Sequence, residues 1–173
     1  NFLSNHHLTN SLLVGIHPGC NIQNQSKRWP VYYFIEIIKK IQQKQTGIRF
    51  LIFGGPDEVQ EAKQIAQETK AGLVINQSLE NVAALISQCN YFIHNDSGLG
   101  HIASCFEPTI FSIISWADER KTAPFSPKNI ILKKNLPCQP CLHKKKKSCD
   151  FACLKSLAPQ DVLPKILQEM ERK

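Results

Sequence analysis

Residues 91–101 read Tyr-Phe-Ile-His-Asn-Asp-Ser-Gly-Leu-Gly-His. This is an apolar run, then a carboxylate, then a Ser-Gly turn of the kind that opens a helix. The chemistry such a segment can do is to grip an anion. The first amides of a helix have no internal partner, and the helix dipole puts partial positive charge behind them. Ser97 and Gly98 let a phosphate come close to the backbone, and His101 can add a donor one turn further on. Asp96 ends the strand. The same Asp96-Ser97 pair would also serve as a plain helix cap, so two readings stand side by side. A second group lies upstream, His17-Pro18-Gly19 followed by Ser26-Lys27-Arg28-Trp29-Pro30. Lys27 brings a point charge where the helix amides bring direction, and together they would clamp a diphosphate. The alternative for Lys27 and Arg28 is a solvated pair of loop cations.

The surrounding pattern says what must position these groups. Short apolar runs at 12–16, 49–53, 72–75, 91–94 and 109–114, with a weaker one at 130–132, read as strands. Between them lie helical repeats. Phe34, Ile37, Ile38 and Ile41 recur at helical spacing within 31–45, and Val59, Ala62 and Ala66 do so within 58–68. Ser78 caps a helix that carries Val82, Leu85, Ile86 and Cys89 on one face. A helix over 97–106 follows the Ser-Gly turn and puts Cys105 in the core. Pro159 opens the last helix, in which Pro164 predicts a break after a short first turn. Strands apolar on both faces and alternating with helices predict an α/β domain. Its parallel sheet would carry helices on both faces in a Rossmann-like arrangement. Such sheets bind ligands at the carboxyl ends of their strands, where His17, Gly54-Gly55, Asn76, Asp96 and Ser115 all fall.

The 173 residues suffice for one domain with a good core, and 42% hydrophobic content is that of a soluble globule. No apolar run is long enough to span a bilayer. The first eleven residues are polar and patternless and read as a linker remnant, with the domain over 12–173. The chain starts without a methionine and without a signal-peptide pattern, so a piece of something longer is expected. A formal net charge of +7 fits an anionic partner: a nucleotide, an acidic lipid surface or a nucleic acid.

Several features together resemble the lipopolysaccharide heptosyltransferases, glycosyltransferase family 9. They are a strand ending in His17-Pro18-Gly19, the Lys27-Arg28-Trp29-Pro30 helix entry, a strand ending in Gly54-Gly55, and Asn95-Asp96-Ser97-Gly98 before a helix bearing His101. The resemblance runs from about Leu12 to Leu167 and matches the C-terminal half of a family member. It implies the donor-binding domain of an inverting GT-B glycosyltransferase. The donor would be ADP-heptose and the acceptor an inner-core sugar of lipopolysaccharide, with no metal in the transfer. By motif position, Lys27 would stabilise the leaving diphosphate, and the backbone at Ser97, Gly98 and Leu99 would donate to the phosphates. Asp96 would hold a hydroxyl of the heptose, His101 would support the diphosphate, and Glu58 would face the nucleotide ribose. For Glu58 an ordinary first-turn helix acid is the competing reading. The general base belongs to an N-terminal acceptor domain that this chain lacks, so the fragment alone is expected to bind donor and transfer little. Gly100 stands where the family usually carries a bulkier apolar residue. Trp116 is placed either to stack on adenine or simply to pack. The implied location is the cytoplasm, with peripheral contact at the inner membrane face.

Cys138, Cys141, Cys149 and Cys153 form a C-x2-C-x7-C-x3-C pattern within a Cys-rich loop over 138–153. Four such thiols can hold a structural zinc, pair as disulfides or stay reduced. A soluble intracellular enzyme would keep them reduced, and a structural zinc is not favoured because the resembling family needs no metal for transfer. His143 and the four lysines 144–147 lie between the pairs, joined by Lys133 and Lys134. They read as a solvated tip or as a contact for an anionic membrane. Two rival functions remain. One is a basic, zinc-containing nucleic-acid-binding module, which leaves the strand-end motifs without a use and lacks interleaved aromatics for stacking. The other is a degenerate, inactive relative of the transferases.

Overall fold

The computed structural model describes residues 11–141 and 149–172. Six strands make one sheet: β1 (Leu12–His17), β2 (Ile48–Phe53), β3 (Gly72–Val74), β4 (Tyr91–Asn95), β5 (Thr109–Ile113) and β6 (Asn129–Leu132). Their order is β3-β2-β1-β4-β5-β6 and every pairing is parallel. The helices are α1 (Val31–Lys44), α2 (Val59–Thr69), α3 (Leu79–Ile86), α4 (Gly98–Ala103), α5 (Glu119–Thr122), α6 (Ala152–Lys155) and α7 (Pro159–Glu171). Two 3-10 turns, Ile22–Lys27 and Pro56–Glu58, precede α1 and α2. The expected covered parallel sheet is therefore the observed one.

Strand alternation sorts the core into two layers. Val14, Ile16, Phe50, Ile52, Tyr91 and Ile93 face α1, α2 and α7, which contribute Ile37, Ile38, Ile65, Val162 and Ile166. Leu13, Leu51, Phe53 and Phe92 face the other way, toward Leu85 and Ile86 of α3 and Ala103 of α4. The sheet order changes direction between β1 and β4. That crevice is where an open α/β sheet has room for a ligand. His17 and His94 are register partners there, on adjacent strand ends.

Local details differ from the sequence pattern in four places. The last helix runs unbroken through Pro164. Its first turn is fixed by Pro159 and by Asp161 Oδ2, which accepts the Ala158 amide at 2.8 Å. Burial of Val162, Leu163, Ile166, Leu167 and Met170 then holds both sides of the proline as one rod. Helix α4 stops at Ala103 rather than continuing to 106, so Cys105 leaves the helical face and is exposed. In α2, Ile65 takes the central buried position and Val59 is only half buried. Pro30 caps α1 rather than entering it, and its carbonyl accepts from the Tyr33 and Phe34 amides.

Candidate functional site

Two loops and one helix meet at the carboxyl ends of β1, β2 and β4. Strand β4 changes from Tyr91-Phe92-Ile93 to His94-Asn95-Asp96, and all three polar residues are buried. A buried polar group needs a partner, and each has one that joins distant segments. Asn95 Oδ1 accepts the Trp29 amide at 3.1 Å, and its Nδ2 donates to the Pro18 carbonyl at 2.5 Å. This one side chain therefore fixes both the His-Pro-Gly turn and the entry to α1. Trp29 anchors that entry from below: it is 1% exposed and its indole donates to the Leu157 carbonyl at 2.7 Å.

The Lys27 ammonium donates to Asp96 Oδ2 at 2.6 Å and sits 4.9 Å from the centroid of the Trp116 ring. Thr122 of α5 donates its hydroxyl to the same Asp96 oxygen at 3.2 Å. Lys27, Asp96, Ser97, Gly98, His101 and Thr122 line a cavity of about 330 Å³. Five of the residues singled out from the sequence thus share one wall, and Thr122 joins them. No signal in the sequence marked Thr122. Arg28 turns the other way, to Glu61 Oε1 at 3.0 Å, Glu58 Oε2 at 3.6 Å and the Cys20 carbonyl at 3.2 Å. It is a strap between the loop and α2, not a second ligand cation.

A second cavity, about 530 Å³, adjoins the first and shares Ser97 and Gly98 with it. Phe53, Val74, Val82, Leu99 and Ile102 give it an apolar wall, and Glu58 and His17 a polar one. The resemblance-based site therefore divides in two. Lys27, Asp96 and His101 lie on one side, Glu58 and Leu99 on the other, and the Ser97-Gly98 turn stands between. Trp116 lines neither cavity; its indole donates to Ser26 Oγ at 3.2 Å and its face covers Lys27.

Ser97 occupies the cap position of α4 but makes no cap bond. Its Oγ lies 2.9 Å from His17 Nδ1, and His17 Nε2 lies 2.9 Å from Glu58 Oε1. Burial opposes ionisation of Glu58. The hydrogen bond and charge of His17, the Gly55 amide and Arg28 outweigh it and hold this carboxyl below its ordinary range. Gly19 makes room for the arrangement, since a Cβ there would stand 2.0 Å from Glu58 Oε1. His94 lies beneath α4, where burial pushes it down to about 3 and keeps the ring neutral. Its Nδ1–H donates to the Asn95 carbonyl, and Nε2 meets the Ser112 hydroxyl at 2.9 Å. Sequence reasoning placed His17 at a ligand-binding strand end without giving it a role, and missed His94. The available signal was a run of buried-strand residues ending in polar side chains.

The family description "Glycosyltransferase family 9 (heptosyltransferase)" matches residues 4–151 of this chain. The chain belongs to that family. Among curated relatives, lipooligosaccharide heptosyltransferase 2 of Campylobacter jejuni is 28% identical over 162 residues, covering 89% of this chain and 50% of the relative. Lipopolysaccharide heptosyltransferase 2 of Salmonella typhimurium is 27% identical over 128 residues, covering 70% and 36%. The chain spans about half the length of the Campylobacter jejuni relatives it matches. Among solved structures, the E. coli ADP-heptose lipopolysaccharide heptosyltransferase II superposes with a TM-score of 0.76 at 21% identity, over 98% of this chain and 51% of that one. The Veillonella parvula family 9 glycosyltransferase gives 0.82 at 20%, over 99% and 50%. These likenesses establish the fold: this Rossmann-like domain corresponds to half of a GT-B heptosyltransferase.

Of the remaining sequence candidates, Cys138 and Cys149 are exposed, and Cys153 is buried on α6, where burial and the neighbouring Cys149 and Cys138 push its thiol up. Among the described residues no three His, Cys, Asp or Glu side chains converge as a metal-binding set. Lys133 pairs with Glu119, and Lys134 with Asp161 at 2.7 Å, so neither is a free cation. The run 143–147 lies outside the described residues. No helix among those described is long and apolar enough to cross a membrane.

Proposed function

We propose that this chain is the donor-binding half of an inverting heptosyltransferase that builds the inner core of lipopolysaccharide, with ADP-heptose as donor. The observation that carries the reading is the convergence of Lys27, Asp96, Ser97, Gly98 and His101 on one cavity at the sheet's carboxyl edge, in a family 9 chain. The diphosphate lies along the Ser97-Gly98 turn with Lys27 beside it. The adenosine enters the larger apolar cavity, with Glu58 toward the ribose. Asp96 Oδ2 carries Lys27 and Thr122, while Oδ1 has no partner among the described residues and faces a sugar hydroxyl.

The chemistry follows from charge. The acceptor hydroxyl attacks the anomeric carbon, the bond from that carbon to the β-phosphate oxygen breaks, and ADP leaves with the electron pair. The proton of the acceptor hydroxyl goes to a carboxylate on the acceptor-binding half of the enzyme. Negative charge grows on the departing diphosphate, and a preset ammonium and amides lower that barrier. On this reading the chain alone binds nucleotide and transfers little or no sugar, and the acceptor is met by the other half. The work is done in the cytoplasm, with the basic run 143–147 reaching anionic lipid at the inner membrane face.

Titration calorimetry with ADP tests the binding step. Saturable heat at micromolar to millimolar ligand is expected; no heat at millimolar ADP overturns the proposal. A transfer assay with and without a supplied N-terminal half tests the division of labour. Transfer by this chain alone refutes that part.

A further inference from the structure

The hydrogen-bonded row Ser97–His17–Glu58 is not needed to explain phosphate binding by amides and Lys27, yet it is geometrically complete, with His17 and Glu58 buried behind a half-buried Ser97. His17 is 5% exposed and Glu58 6%. Its two outer members come from segments 80 and 41 residues away from the histidine. An ionised carboxylate only accepts hydrogen bonds, so the Glu58 contact requires a proton on His17 Nε2 in every state of the ring. The variable proton is therefore the one on Nδ1, which faces Ser97. A bare Nδ1 accepts the serine proton. A protonated Nδ1 donates to Ser97 Oγ, and the hydroxyl hydrogen must then turn elsewhere.

We propose that His17 is a positioning residue that sets the donor polarity of Ser97, so that binding of a nucleoside diphosphate ester draws one proton onto the ring. With the ring doubly protonated, Ser97 Oγ accepts from Nδ1 and donates into the cavity, to a phosphate oxygen. With the ring neutral, the hydroxyl donates inward and turns only lone pairs toward the anion. The proton comes from solvent and returns there on release.

The surroundings of the ring accommodate this. Glu58 from the Pro56–Glu58 turn supplies negative charge at 2.9 Å. Arg28, from the loop before α1, is shared between Glu58 and Glu61, and Lys27 is neutralised by Asp96 of the β4 end. His94, the register partner on β4, stays neutral, as does the Cys20 thiol, pushed up by burial. His101 of α4 lines the phosphate-side cavity beyond Ser97.

The inference rests on the donor-site reading, and the experiment separates the two. ADP-ribose is the probe, since its diphosphate diester has no group titrating near neutrality. Calorimetric titrations at about pH 7.5 in PIPES and in Tris compare two buffers that differ in ionisation enthalpy. Observed enthalpies should differ by the amount for about one proton taken up per ligand. Affinity should fall by roughly tenfold to a hundredfold from about pH 6 to about pH 8.5, the worth of one charge-assisted hydrogen bond. Ser97→Ala and His17→Gln, checked for folding by thermal melts, should lose both the buffer dependence and the pH dependence. Ser97→Thr, which keeps a hydroxyl, should restore them. A purely structural role for His17 would lower affinity without proton linkage. Binding with equal enthalpies in both buffers and pH-independent affinity overturns the inference and leaves the donor site standing. No ADP-ribose heat in either buffer overturns the donor site and the inference with it.

Discussion

Gly100→Ala is the sharpest test of how the phosphate-side helix is seated. The residue lies in the middle of α4, with the His94 ring directly beneath it. A Cβ built there would stand 2.0 Å from His94 Cε1 and 2.4 Å from Nε2. Carbon–carbon contact is ordinarily about 3.5–4.0 Å, so roughly 1.5 Å must be found. His94 is 0% exposed and tied at both nitrogens, and cannot withdraw. Overpacking of this kind costs about 1–3 kcal/mol, and a site that cannot relax belongs at the upper end. Replacing a helical glycine by alanine returns about 1 kcal/mol. The net expectation is a loss of about 2 kcal/mol, or about 4–8 °C in melting temperature for a domain of this size. Urea unfolding of four proteins reads the effect: wild type, Gly100→Ala, His94→Ala and the double variant. In the double variant the methyl enters space the ring vacated, so its loss should fall short of the sum of the two single losses by at least about 1 kcal/mol. A Gly100→Ala protein as stable as wild type, or strictly additive losses, would refute the steric account. It would also remove the steric reason for glycine at this position.

Three further outcomes follow from the same geometry. Lys27→Met should weaken ADP binding by roughly tenfold to a hundredfold, because it removes the ammonium from the cavity and leaves Asp96 with Thr122 alone; an unchanged calorimetric Kd would exclude Lys27 from the site. His94 has an ordinary value of 6.5 and is held at about 3 in the fold, so the unfolded chain binds this proton first as pH falls. Stability present above about pH 6.5 should therefore drain at up to about 1.4 kcal/mol per pH unit toward pH 3. His94→Asn should flatten that slope in urea titrations at several pH values. Elemental analysis of protein purified without chelator should find less than stoichiometric zinc, with Cys138, Cys141, Cys149 and Cys153 reactive to thiol reagents after unfolding; one zinc per chain would reverse that expectation.

The architecture was legible because strands and helices announce themselves locally. The short apolar runs at 12–16 and 49–53 and the helical repeat of Phe34, Ile37, Ile38 and Ile41 depend on neighbours a few residues away. So does the Ser97-Gly98 turn. The departures have equally local causes that the pattern could not weigh. Pro164 looks like a break until the burial of Val162, Ile166 and Met170 is counted. Cys105 looks like a core residue until α4 ends two positions earlier.

By itself, then, the sequence determined the α/β order of elements and marked Lys27, Asp96, Ser97, Gly98 and His101, which the fold brings to one cavity at the sheet's carboxyl edge. Each of those rests on residue type and short-range spacing. Only the tertiary structure decided which way the groups point and what they hold. Arg28 serves α2 rather than a ligand, Thr122 shares Asp96, and Ser97 turns from its cap position to His17. Hydrogen-bond direction and charge state belong to pairs, and these partners are 26 to 80 residues apart in the chain. They become neighbours only when the sheet sets β1 beside β4.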